Sequence, residues 1–306
     1  MSTVIKKELS TWEKIKKQKV LFFMLLPGLL LTFVFKYIPM YGVLIAFKDY
    51  NPLRGILGSD WVGFKEFARF LSAPNLGLLV GNTIKLSVYG LLWGFLPPII
   101  LAIMLNQLAS PRLKRQIQLI LYAPNFISVV VIVGMIFLLF SIEGPVNRIL
   151  EMVGININFM TNPNYFRSLY IGSGIWQGMG WASTLYTATL VNVDPSLVEA
   201  AKLDGANILQ RIWHIDLPTL KPVMVIQFIL AAGNIMSVGY EKAYLMQTSL
   251  NLTASEIIST YVYKQGLVSG NYSYSTAVGL INTVINVVLL IIVNKTVQQL
   301  NDGEGL

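Results

Sequence analysis

The chain has 306 residues, of which 54% are hydrophobic and only 12% charged, with a net charge of +8 and no cysteine. A soluble domain carries about 25% charged residues, so a mean hydropathy of +0.61 places the chain in the membrane class, and the lack of cysteine excludes disulfides, thiol catalysis and cysteine-held metal. The positive balance does not point to nucleic acid, because the lysines and arginines cluster beside apolar runs, where they orient a chain in a bilayer.

Residues 1–19, MSTVIKKELSTWEKIKKQK, form a basic N-terminal segment. Two readings stay open for it: an amphipathic helix on anionic lipid, carrying Trp12 and Ile15, or a plain cluster of stop charges. The apolar run that follows is too long for a secretory signal and lacks a small-residue cleavage site, so it is expected to remain as a span. Crossing about 30 Å of hydrocarbon takes roughly 20 residues, and six runs suffice: 20–47, 78–105, 117–140, 168–191, 222–239 and 276–294. The expected fold class is an all-α membrane protein with six transmembrane helices. Residues 48–77 make an extracytoplasmic loop, 78–294 the core, and 295–306 a tail. Starting inside, cytoplasmic segments hold thirteen Lys and Arg against eight outside, which puts both termini in the cytoplasm. Pro97-Pro98 and Pro124 read as kinks in the second and third runs.

Between the fourth and fifth runs lies a loop, 194–218, with its own local logic. Asp194 is an N-cap and Pro195 suits the first helical turn. No breaker occurs from Ser196 to Leu203, and Gly205 supplies a left-handed residue to end the helix. A helix of about nine residues, roughly 13 Å long, results. A second short helix over 206–213 is expected to follow at a sharp angle and to stop before Pro218. His214, the only histidine, has no second histidine with which to share a metal.

The loop reads Glu199-Ala200-Ala201, three residues, Gly205, nine residues, Ile215, one residue, then Leu217-Pro218. This spacing resembles the EAA signature of membrane permeases in binding-protein-dependent ABC importers. Residues 45–67, Asn82-Thr83, 118–128 (QLILYAPNFIS), 261–267 (YVYKQGL) and 272–277 (YSYSTA) are similar to the oligosaccharide and polysaccharide branch of those permeases. The resemblance implies a type I, methionine-importer-like permease fold in a bacterial cytoplasmic membrane. It also implies a homologous but non-identical second permease, two ATPase subunits, an extracytoplasmic binding protein and a carbohydrate substrate. ATP and Mg would be bound by the partner ATPase, with no cofactor in this chain. Glu199, Ala200, Ala201, Asp204, Gly205, Ile215, Leu217 and Pro218 would then form the segment that docks on the ATPase. Glu199 would fix it by hydrogen bonds or charge pairing, Gly205 would make the corner, and Leu217-Pro218 would set the exit.

A translocation path needs polar groups inside the bundle. At 100° per residue, Ser173, Trp176, Gln177, Gly180, Ser183, Thr184 and Thr187 fall on one side of the fourth run. Gln227 and Asn234 share a side of the fifth, and Asn282 and Asn286 a side of the sixth. A polar stripe faces protein or water rather than lipid, and an amide with an indole suits the hydroxyls and C–H faces of a sugar. The other reading is that small and amide residues hold helices together. A secondary transporter would need an intramembrane Asp, Glu or His, and the six runs contain none. A membrane enzyme would need a carboxylate pair, metal ligands or an activated nucleophile, and no such cluster occurs. A permease for another small solute stays open.

Overall fold

In a computed structural model, residues 18–236 and 238–300 are described. The reading of the basic N-terminal segment therefore lies almost wholly outside the described residues, as does the end of the tail. The first apolar run forms α1 (Lys19–Thr32), which continues through a π-helical turn (Phe33–Tyr37) into a 3-10 stretch (Ile38–Phe47). No residue of α1 is buried within the chain, and a helix apolar on all sides belongs in a membrane or against another subunit.

The loop after it contains a small hairpin that the all-α expectation lacks. Strands β1 (Lys48–Asp49) and β2 (Asp60–Trp61) pair antiparallel, with Lys48 opposite Trp61. Asn51 turns the chain by accepting from the Leu53 N–H at 2.9 Å, and Gly55 at φ 68° opens the short helix α2 (Gly55–Gly58). Helix α3 (Lys65–Leu71) then leads into α4 (Leu76–Asn106), which runs unbroken through Pro97 and Pro98.

The third apolar run does not form one rod. It divides into α5 (Pro111–Tyr122), a 3-10 turn (Ala123–Phe126) and α6 (Val129–Phe140). Pro124 cannot donate to the helical ladder, and Ser128 accepts from the Val131 N–H to start the next helix afresh. The apolar crossing segment is accordingly Val129–Glu151, which takes in α7 (Pro145–Glu151). Then come α8 (Pro163–Val191), α9 (Pro195–Leu203), α10 (Ile208–Arg211) and α11 (Leu217–Gly233). Three short helices, α12 (Tyr240–Leu245), α13 (Leu252–Ser255) and α14 (Ile258–Tyr263), precede α15 (Tyr272–Leu300).

Among the described residues, five helical stretches are long and apolar enough to cross a membrane: Lys19–Phe47, Leu76–Asn106, Val129–Glu151, Ile208–Gly233 and Tyr272–Gln299. Helix α8, with 29 residues, matches them in length, but its Gly, Ser, Thr and Asn content lowers its hydropathy. It pairs with α4 along much of its length, and this pair forms the centre of the molecule. Ile99 and Ala102 of α4, Tyr186 and Leu190 of α8, and Leu220 of α11 make one apolar cluster at that centre. Asn82 and Thr83 clamp a second region: the Asn82 amide donates to the Thr253 and Glu256 carbonyls, and the Thr83 hydroxyl accepts from the Ile258 N–H. That dipeptide thus pins the α13–α14 loop to α4.

Candidate functional site

Two regions concentrate the residues singled out in the sequence. The first is the segment 194–218. The Asp194 carboxylate accepts from the Ser196 N–H at 2.9 Å, which holds it below its ordinary pKa, and Pro195 occupies the first turn of α9. At the other end Ala206 N–H bonds to the Ala201 carbonyl and Gly205 N–H to the Lys202 carbonyl. These are the paired bonds of a Schellman motif, and Gly205 sits at φ 80° in the position that needs it. Asn207 and Gln210 then form a reciprocal capping box that opens α10.

The expected stop at Pro218 does not occur. A π-helical turn, Ile212–Asp216, joins α10 to α11, so helix continues from Ile208 to Gly233. The widened turn gives Pro218 a place in the first turn of α11, where its missing N–H and its ring are tolerated. The corner at Gly205 is thereby followed by one rod leading into a spanning helix.

Glu199, Ala200, Asp204 and Pro218 are exposed, Ala201 and Leu217 are half-buried, and Ile215 is buried. Glu199 forms no ion pair with any described residue. Asp216, which the motif spacing skips, is the buried anchor. It is 4% exposed and accepts from the Gln107 amide at 2.7 Å and the Asn106 amide at 3.5 Å, tying the π turn to the end of α4. The outer surface of the segment is apolar: Leu203 is 89% exposed, Leu209 76% and Trp213 70%. Exposed apolar side chains concentrated on a polar-capped turn mark an interaction surface. Its signal in the sequence is the presence of apolar residues outside the spans.

The second region is a cleft of about 880 Å³ between α4, α8 and α11, lined by Gly90, Gly94, Trp181, Thr184, Gln227 and Asn234 among others. A neighbouring cleft of about 400 Å³ shares Gly90, Gly94, Pro98, Tyr170 and Ala182 with it and adds Gln177 and Lys242. The stripe on α8 is divided among three environments. Gln177 and Thr184 reach these clefts, while Ser173 and Trp176 line a separate apolar pocket of about 300 Å³ against α6. Gly180, Ser183 and Thr187 do not reach a cleft: they are buried, with a Cβ at Gly180 overlapping the Leu121 carbonyl and both hydroxyls bonding back to their own helix. Asn282 and Asn286 are engaged elsewhere. The Asn282 amide donates to the Met236 carbonyl and Asn286 Oδ1 accepts from the Met236 N–H, so together they grip the chain leaving α11.

In the sequence Lys242 figures only as a charge outside the spans. In the fold its ammonium donates to the Tyr170 carbonyl at 2.8 Å and lies 4.8 Å from the Tyr170 ring centroid. Burial lowers its pKa to about 8, because removal from water disfavours the charged form.

A bundle of membrane-length helices, a glycine-lined cleft and a capped, exposed turn rooted in one of those helices define a helical membrane transport component. Residues 94–300 match the family described as binding-protein-dependent transport system inner membrane component, and the chain belongs to that family. It is 41% identical to the polygalacturonan/rhamnogalacturonan transport system permease protein YteP of Bacillus subtilis (strain 168), over 96% of this chain and 92% of the relative. It is 40% identical to the protein LplB of the same organism, over 98% and 95%. Among solved structures, a bacterial ABC transporter involved in the import of the acidic polysaccharide alginate superposes with a TM-score of 0.85 at 34% identity, covering 95% of this chain and 99% of that one. A second, of the alginate transporter in complex with alginate pentasaccharide-bound periplasmic protein, gives 0.85 at 33% identity, covering 97% and 99%.

Proposed function

We propose that the chain is one of two permease subunits of an ATP-driven importer for oligosaccharides or polysaccharide fragments, and that the fragments carry uronic acids. The observation that supports this best is the continuous rod from the Gly205 corner through Ile208–Gly233. It gives a partner that grips α9 and α10 direct leverage on a helix lining the central cleft. The polygalacturonan/rhamnogalacturonan permease and the alginate importer among its relatives support the acidic glycan class.

In this reading α8 is an additional, sixth span, the fourth in chain order, with its polar residues turned toward the clefts and neighbouring helices instead of toward lipid, and both termini are cytoplasmic. A solute-binding protein delivers the glycan on the outer side. Closure of two ATPase subunits, which bind ATP and Mg, draws the 199–218 segments of this chain and its homologous partner together. The rods transmit that movement and the cleft opens inward. This chain contributes half of the path and none of the ATP chemistry.

Proteoliposomes holding the complete complex provide the test. With the binding protein outside and ATP inside, a galacturonate trimer is expected to accumulate, and neither ADP nor an ion gradient substitutes for ATP. Accumulation driven by a gradient without ATP would make the chain a secondary transporter and sink the proposal.

A further inference from the structure

Lys242 stands on a short helix whose position is fixed by packing. Ala243 and Met246 are fully buried in the cluster that also holds Ile132, Ile136, Phe166 and Ile257. The lysine is therefore held against α8 rather than free to swing into solvent. Its ammonium sits 3.4 Å from where a side chain at Gly174 would begin, so anything larger than a methyl group there would crowd it. An ammonium has three donors, and one of them is taken by the Tyr170 carbonyl. No carboxylate of a described residue lies within salt-bridge distance of it. A partly buried cation without a counter-ion is costly to keep, and this one lines the cleft that holds Gln177 and the glycines Gly90, Gly94, Gly174 and Gly178.

That chemistry fits one ligand class. The missing counter-ion is an anion, the glycines let a sugar ring approach the backbone closely, and Gln177, whose amide N–H donates to the Ile127 carbonyl at 3.0 Å, keeps its Oε1 as an acceptor for a hydroxyl. We propose that Lys242 is the carboxylate-binding residue of the translocation path, and that it selects uronate-bearing glycans over neutral ones. This rests on the importer reading above and adds the residue that reads the charge.

Two measurements on the complete reconstituted complex test it. The first compares uptake of a galacturonate trimer with that of its carboxyl-reduced, neutral counterpart, with the same binding protein in every arm. A hydrogen bond to a charged group contributes about 1.5–3 kcal/mol, so Lys242→Met is expected to lower the acid-to-neutral uptake ratio by about tenfold or more. Lys242→Arg is expected to restore most of that ratio. An unchanged ratio, with both substrates slowed alike, would make Lys242 a packing residue and overturn the inference. The second uses the wild-type complex, which removes any question of misfolding. A water-soluble carbodiimide joins a carboxylate to an amine in contact with it, so it should couple the trimer to Lys242, as located by peptide mass spectrometry. Adducts on other lysines with none at 242 would overturn the inference. Uptake of the neutral trimer alone would refute the charge-reading role and the uronate class while leaving the ATP-driven importer reading intact, whereas no glycan uptake in any arm would refute all three.

Discussion

Replacing Gly205 with valine is expected to uncouple transport while leaving the chain in the membrane. At φ 80° a β-branched side chain is a genuine outlier, and holding it there costs on the order of 1–3 kcal/mol. Beyond its two chain neighbours, no atom of the described residues lies within 4 Å of a Cβ placed at this position, so the penalty is one of backbone conformation, not of collision with them. The Schellman bonds from Ala206 and Gly205 are the first to yield, and α9 loses its fixed angle to the rod behind it. Uptake per membrane-inserted complex should fall by about fivefold or more, because that much strain shifts a two-state geometry by such a factor. Gly205→Asn separates conformation from composition, since asparagine tolerates the left-handed region. It should retain most of the uptake. Equal activity of the valine and glycine forms would remove the corner from the coupling mechanism.

Substitution of Gly180 acts at an earlier stage, on assembly. A methyl group there overlaps the carbonyl of Leu121, and backbone cannot move aside as the end of a long side chain can. Overpacking a well-filled contact costs about 1–3 kcal/mol, occasionally more. Gly180→Ala is therefore expected to lower the melting temperature and the yield of intact complex. Gly178, two residues away, has nothing within 4 Å of the point where a methyl group would sit, and it faces the cleft. Gly178→Ala should leave thermal stability unchanged or slightly raised, since alanine favours a helix interior over glycine. Thermal unfolding of the two purified variants checks the contrast, and equal melting temperatures would contradict the packing assigned to α8 and α5.

The parts of this structure that are legible in the sequence are those with local causes. Asp194 and Gly205 mark helix ends through bonds spanning two to five positions and Pro195 through its missing N–H, so neighbours alone suggest them. The apolar runs locate spans for the same reason, since length and hydropathy are properties of a segment. Pro218 misleads because its effect depends on the π turn before it, and nothing short-range announces a widened turn. The third run looks continuous because hydropathy does not register the break that Pro124 and Ser128 make together. The α8 stripe is legible as a set of polar residues but not as a map. Helical periodicity says which residues share a face, but not that α5 covers Gly180 while Gln177 and Thr184 stay open. Asp216 and Lys242 are invisible in their roles because their partners, Gln107 and Tyr170, lie 109 and 72 residues away.

The central claim is that the surface of α9 and α10 receives the ATPase. Leu203 is the most exposed apolar residue of that surface, and the chain has no native cysteine, so Leu203→Cys gives a single addressable point. In intact cells this cysteine should resist a membrane-impermeant maleimide. In membranes containing the complete complex, a short bismaleimide should join it to a cysteine placed in the ATPase subunit, with a yield that changes on ATP binding. Labelling of position 203 from outside intact cells, or the absence of any cross-link to the ATPase in an assembled complex, would contradict the claim.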